Sequence, residues 1–373
     1  MIDGRISRID SEGFIERGSS ELTSGYLSAA YIGEKSSLRL NAFSGHERTY
    51  QAWCGVPAQF IDDEELRTFN PCGLRTDGSF YEDQVDDYTQ SHFQAIYNSQ
   101  LTSRMSLNFA GHYTRGLGFF EQWENKENLL DHGLPNVMVE GVLETEADLV
   151  RRRWLDNHFY GAVFSLNYIS PNGKYEITPG GGYNIYQGAH YGEAIFSEFG
   201  LPTNVPRYYD NDATKTDLNL YAKIKSRISA KVNGFLDLQV RSVDYEFLGF
   251  DQDGNNVTQD DQLSFFNPKI GAVYEINDNS NVYASFAIAN REPNRNDYTE
   301  TTPFSRPKHE TLRDLEVGFR KNWSKAALEI TAYNMDYTNQ LVLTGQINDV
   351  GEYSRTNVED SYRRGIELSL IHI

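Results

Sequence analysis

Two cysteines, Cys54 and Cys72, are the only ones in the 373 residues. They share one polar stretch, Cys54 beside Gly55 and Cys72 between Pro71 and Gly73. Neither has histidines at ligand spacing, which makes a poor zinc site. A disulfide closing the stretch is expected if the chain passes through an oxidising compartment; free thiols or a metal pair are the alternatives. A second cluster runs from Asp251 and Asp253 to Asp260 and Asp261, rich in the hard oxygen donors that calcium takes. Gly254 comes two positions too early for an EF-hand and no Glu stands at the twelfth place. A loop-bound calcium therefore competes with a plainly solvated acidic loop. Arg291, Glu292, Arg295 and Asp297 form a third group, suited either to bracing the base of a loop or to meeting an anionic substrate.

Aromatic residues fall in the same irregular stretches: Trp53, Phe119, Phe120, Trp123, Tyr191, Tyr208 and Tyr209. Such rings can cup an apolar or planar ligand. They equally suit a membrane-interface girdle or packing between loops. The run Arg151-Arg152-Arg153 is basic in an acidic neighbourhood. It either holds lipopolysaccharide phosphates or offsets Glu144, Glu146 and Asp148. No nucleophile elbow, HExxH pair or phosphate loop is present, and the eight histidines are scattered. The residues give no sign of an enzyme.

The elements that carry these groups are strands. Alternation with period two recurs along the chain, as in Leu218, Leu220, Ala222 and Ile224 against Asn219, Tyr221, Lys223 and Lys225. It recurs in Val282, Ala284, Phe286 and Ile288, and again in Ile366, Leu368 and Leu370. Several runs exceed ten residues. A tilted strand of about 9–11 residues crosses a bilayer, whereas globular strands average about 5–6. About thirteen strands are expected. Gly180-Gly181-Gly182 lies inside one of them and marks a kink.

Short turns, such as Ser170-Pro171-Asn172-Gly173 and Asn322-Trp323-Ser324, alternate strictly with long polar stretches near 46–87, 114–157, 188–212, 244–263, 291–311 and 338–355. Six such loops are foreign to a compact soluble domain. They fit a transmembrane antiparallel β-barrel with short periplasmic turns and long extracellular loops. Charge divides in the same way. The six stretches hold 35 acidic and 14 basic residues, against 53 and 34 in the whole chain. The remainder is nearly neutral, as a lipid-facing wall requires. A net charge of −19 excludes nucleic acid as a partner. No run of 18 apolar residues makes a membrane helix. An odd strand count, an end in mid-strand at Ile371-His372-Ile373 and the lack of a signal peptide lead to the expectation of a fragment cut at both ends.

Several segments resemble those of TonB-dependent receptors of the type common in Bacteroidetes. They include Ser11-Glu12-Gly13-Phe14-Ile15-Glu16-Arg17-Gly18, Thr49-Tyr50-Gln51-Ala52-Trp53 and Tyr208-Tyr209-Asp210-Asn211-Asp212. They also include Phe266-Asn267-Pro268-Lys269, Ala289-Asn290-Arg291-Glu292-Pro293-Asn294-Arg295-Asn296-Asp297-Tyr298, Leu341-Val342-Leu343-Thr344-Gly345, and Ser361-Tyr362-Arg363-Arg364-Gly365. The resemblance spans nearly the whole chain. It implies a bacterial outer-membrane barrel of 22 strands, of which this chain holds about thirteen as part of a single domain, residues 1–373. It also implies an N-terminal plug, absent here, on which the TonB-ExbB-ExbD complex acts. The expected function is TonB-energised uptake of a scarce nutrient, with an iron-siderophore or related metal complex as cargo. Cobalamin or a glycan is the rival cargo, and a passive porin or surface-binding barrel the rival function. Outer-membrane lipid and lipopolysaccharide are expected neighbours, and no cofactor is expected beyond the calcium weighed above. Trp53, Phe120, Trp123, Tyr191, Tyr208, Tyr209, Arg291 and Arg295 are the expected substrate contacts.

Overall fold

The computed structural model describes residues 1–251, 254–299, 306–347 and 353–372. Among these residues sixteen strands follow in chain order. They are β1 (Ile2–Ser11), β2 (Ser20–Ile32), β3 (Ser36–Tyr50), β4 (Val85–Thr102), β5 (Met105–Asn128) and β6 (Val137–Val139). Next come β7 (Val142–Glu144), β8 (Glu146–Ile169), β9 (Tyr175–Ser197), β10 (Tyr209–Arg227) and β11 (Val232–Phe250). The last are β12 (Gln259–Asn277), β13 (Ser280–Arg291), β14 (Glu310–Asn322), β15 (Ala326–Ile347) and β16 (Tyr353–His372). One short helix, α1 (Arg295–Thr299), lies between β13 and β14.

Fourteen strands form one antiparallel sheet in chain order, with β1 and β16 at its edges; β5 pairs with β8 because β6 and β7 make a separate hairpin in the connection between them. Alternation alone pointed to about thirteen. The faintest alternation is in β1, where Arg5 and Arg8 place charge on both faces.

The long connections are shorter than the sequence suggested. The stretch expected at 114–157 narrows to 129–145, and the one at 188–212 narrows to 198–208. β5 and β8 each run 24 residues and β9 runs 23, more than twice what the bilayer needs. Beyond the bilayer both faces of a strand meet water. Apolar alternation then fades, while backbone pairing continues to satisfy every N–H and C=O. Polarity was therefore read as loop where the wall in fact continues.

The register separates two faces. One carries Leu218 and Leu220 on β10, Leu238 and Val240 on β11, and Leu315 and Val317 on β14, all exposed. Exposed apolar side chains in neighbouring rows make a surface for lipid. The other face carries Asn219, Arg241, Asn267, Glu316 and Arg363, and is the lumen side. Buried apolar groups form three small clusters, all at the end with the long connections. A membrane barrel is solvated by lipid outside, so its wall needs no central core.

Glycines shape the lumen face. Tyr221 stands opposite Gly180, Phe235 opposite Gly271, Tyr283 opposite Gly318 and Tyr333 opposite Gly365. A Cβ on any of these glycines would run into the partner's ring. Each ring thus lies flat over backbone, as in the aromatic rescue of strand glycines. At Gly180 the expected kink is instead a seat for a ring.

Candidate functional site

The site lies on the lumen face, where the wall rises past the bilayer. One row of cross-strand partners reads Asp86, Phe120, Arg153, Gly192 and Tyr209. The row beneath reads Tyr88, Gly118, Leu155, His190 and Asn211. Paired residues of a sheet share a face, so strands far apart in sequence assemble this patch.

Two connections fold inward above it. The 129–145 and 198–208 segments share a small core of Leu129, Leu134, Ala147 and Ala194, with Val137, Phe199 and Val205 packed against it. Within that core His132 sits 4.8 Å from the Tyr208 ring. Tyr208 in turn meets Tyr209 edge to face at 5.1 Å. Gly192 makes this possible, since a Cβ there would strike both rings. Burial pushes the Tyr208 hydroxyl above its ordinary pKa, against the opposing pull of Arg153 and Arg151. Both tyrosines stay neutral at physiological pH.

Burial also holds His132 below the usual imidazole range, although the Asn128 carbonyl at 3.1 Å from Nδ1 favours the charged form. A depressed histidine contributes its packing fully above pH 6.5, and that contribution is lost as pH falls through its folded pKa. Protection of the amides in residues 129–134, taken relative to intrinsic exchange at each pH, is therefore expected to fall as pH drops below 6.5. In His132→Phe the same amides should show no such loss of protection.

A second assembly braces the wall lower down. The Glu292 carboxylate, just after β13, accepts from Lys215 Nζ at 2.8 Å and Arg241 Nη1 at 2.6 Å. Arg241 also holds Asp217, with Nε 3.0 Å from Oδ2. Burial raises the Glu292 pKa, but the hydrogen bonds from Arg241 and Lys215 outweigh it, and the net value falls to about 2. Strands β10 and β11 are thereby tied to the start of the 292–309 connection.

The expected site residues divide. Phe120, Tyr209 and Arg295 gather on the lumen side, with Tyr208 above them; Trp53 reaches Phe120 edge-on at 6.2 Å and is largely exposed. Arg295 donates to Asn211, and its Nη1 lies 2.8 Å from His190 Nδ1. Trp123 and Tyr191 are placed on the opposite face by strand parity. There Trp123 stacks with Phe196 at 5.8 Å and lies under Arg75, and Tyr191 stacks with Trp154 at 5.9 Å under Arg207. Phe119 joins that outer group against Trp154. Arg291 ends β13 opposite Glu310.

The group Arg291, Glu292, Arg295 and Asp297 does not close on itself. Glu292 and Arg295 reach other strands, while Asp297 and Asn294 exchange hydrogen bonds at 2.8 Å each way. The arginine run likewise finds partners away from its own loop. Arg152 holds Glu121 at 2.7 Å, Arg151 holds Glu124, and Asp148 is 3.5 Å from Lys126. Among the described residues the offset to Glu144 and Glu146 is not formed: Glu144 ends β7 and Glu146 opens β8, five positions before the run.

Cys54 and Cys72 are joined, Cα to Cα 5.6 Å. Beneath them Gln51 Nε2 donates to the Val85 and Glu121 carbonyls, Asn70 Nδ2 to those of Glu16 and Gln51, and Tyr50 to that of Cys72. The acidic cluster is dispersed. Asp251 caps its own turn through Asn255, while Asp261 accepts from Tyr298 at 2.6 Å. The Asp260 carbonyl meets Arg306, and Asp253 lies outside the described residues. Among the described residues no three such groups converge.

Lys215, Asp217, Arg241, His190 and His132 were not singled out from the sequence. Their partners lie 24 or more positions away, apart from the Asn128 carbonyl, and only the register brings most of them together. Strand parity was the available signal. It places Lys215, Asp217 and Arg241 on the polar face, but not at one height.

The TonB dependent receptor-like, beta-barrel family matches residues 28–371. No curated protein matches the chain. Among solved structures it is similar to the ferric-catecholate import receptor Fiu from E. coli K12 in its closed form, at 13% identity and TM-score 0.64, covering 100% of this chain and 58% of that one. It is also similar to the ferric citrate transporter FecA in its unliganded form, at 14% identity and TM-score 0.68, covering 99% and 50%. A third is BauA, the ferric preacinetobactin receptor from Acinetobacter baumannii, at 12% identity and TM-score 0.58, covering 99% and 55%. At such identities the likeness shows the fold, and the chain spans about half of each. Family match, antiparallel wall and lipid-facing rows agree: this chain is a bacterial outer-membrane β-barrel and belongs to the TonB-dependent receptors.

Proposed function

We propose that the chain is the barrel wall of a receptor that takes up a scarce nutrient with energy from TonB, its cargo a metal complex of the iron-siderophore kind. Residues 1–373 make part of one barrel domain. The plug on which TonB-ExbB-ExbD acts belongs to a segment outside this sequence. The observation that carries the reading is the inward fold of the 129–145 and 198–208 connections over Phe120, Arg153, Tyr208 and Tyr209. A passive pore gains nothing from roofing its lumen, whereas a receptor needs a concave mouth with aromatic walls and a few fixed polar groups. The similar structures, a ferric-catecholate import receptor, a ferric citrate transporter and a ferric preacinetobactin receptor, support metal chelates as the cargo class.

The test is transport in a strain carrying the complete gene. Under iron limitation, the receptor is expected to restore growth on a chelate that its absence denies. Deleting tonB should abolish that growth. Growth that persists without TonB would make the protein a passive porin and end the proposal.

A further inference from the structure

We propose that Arg153 and the Tyr208 hydroxyl bind a carboxylate, an inference that rests on the uptake reading only in naming the cargo as its bearer. Arg153 is 9% exposed. Among the described residues no hydrogen bond or ion pair reaches its guanidinium, and its buried Nε has no partner. The buried Tyr208 hydroxyl beside it has no partner in good hydrogen-bond geometry, although Arg153 is near enough to act on it as a side-chain donor. Two orphaned polar atoms side by side are costly, because burial strips them of water and returns nothing.

The charges nearby do not supply the missing partner. Arg152 takes Glu121 on the far face, and on the near face Glu124 is held by Arg151 and reaches Arg153 only through space, so one positive charge of the run is left over. Asp86 shares the row but stands two strands off, with Phe120 between. Strand spacing puts it roughly 10 Å away.

The place is built for an anion of a given shape. The Arg153 guanidinium lies 5.7 Å above the Phe120 ring, which steadies its plane. Gly192 clears room for both tyrosines at its side. A guanidinium fork takes a planar carboxylate with two parallel N–H···O bonds, and the phenol adds a third donor. The inward connections keep water away, which strengthens each of these bonds.

The full-length receptor in detergent is to be titrated calorimetrically with citrate, and with triethyl citrate as the uncharged counterpart. Citrate is expected to bind and the triester not. Arg153→Gln should weaken citrate about tenfold to a hundredfold, and Tyr208→Phe about tenfold, in line with hydrogen bonds to a charged group. Arg153→Lys should recover part of the loss. Without ligand, Arg153→Met should unfold at or above the wild-type temperature, because it removes an unpaired buried charge. Equal citrate binding by wild type and Arg153→Gln, no binding by wild type, or earlier unfolding of Arg153→Met would each overturn the proposal. Binding in detergent needs no TonB, so its failure leaves uptake standing and a failure of uptake leaves it standing.

Discussion

Glu292→Gln is expected to cost about 2–4 kcal/mol of local stability, a little below the range of about 3–5 kcal/mol for breaking a fully buried ion pair from one side. The side chains involved are only 14% to 25% exposed, so water screens them little. A neutral amide keeps one oxygen acceptor and turns its NH2 group toward a cation. Arg241 then has only Asp217, and Lys215 loses its carboxylate. The strain falls on the start of the 292–309 connection, and residues 292–299 should exchange amide hydrogens about thirtyfold or more faster. Acid should copy the mutation. A carboxylate depressed to about 2 contributes its full stability above pH 4.5 and loses it as pH falls from 4.5 toward 2. Wild type should therefore converge on the mutant across that window, while Glu292→Gln stays flat. A mutant that kept the wild-type acid transition would show that another group drives it.

Removing the Cys54–Cys72 link is expected to free most of the connection between β3 and β4 without loosening the wall. Closing a loop of this size is worth about 3 kcal/mol in chain entropy. The two ends of that segment are held differently. Cys72 is buried over the knot of Gln51, Asn70 and Tyr50, whereas Cys54 is exposed and tied down chiefly by the bond itself. In Cys54→Ser, or after reduction, a protease should cut within residues 52–69 at least tenfold faster. The pairing of β3 with β4 should be untouched. An unchanged cutting rate would mean that the knot alone holds the segment.

The wall was legible in the sequence because lipid imposes a rule that each strand obeys by itself. Leu218 to Ile224 and Val282 to Ile288 alternate without reference to any neighbour. The top of the wall was not legible, because β5 and β8 climb into water, where Glu121, Arg152 and Trp123 serve as well as any apolar residue. The site was half legible. Phe120, Tyr208, Tyr209 and Arg295 are picked out by type and place, and the fold gathers them on the lumen side. Trp123 and Tyr191 have the same type and fall in the same stretches, yet one step of strand parity turns them outward. Lys215, Asp217, Arg241 and Glu292 meet through a register set by hydrogen bonds across three strands, and no local pattern announces such a meeting.

The glycines under the lumen-face rings bear on how the chain finds its register at all. Apolar alternation rejects any slip by one residue, since that turns every side chain to the wrong face. It is blind to a slip by two, which leaves lipid-facing and lumen-facing sets intact. The ring pairs are not blind to it. A slip of two would set Tyr283 on Glu316 or Arg320 in place of Gly318, and Tyr333 on Arg363 or Glu367 in place of Gly365. Each ring would then lose its flat seat on bare backbone. The two patterns thus act as checks of different stride: one reads odd errors, the other even ones, and together they leave a single alignment.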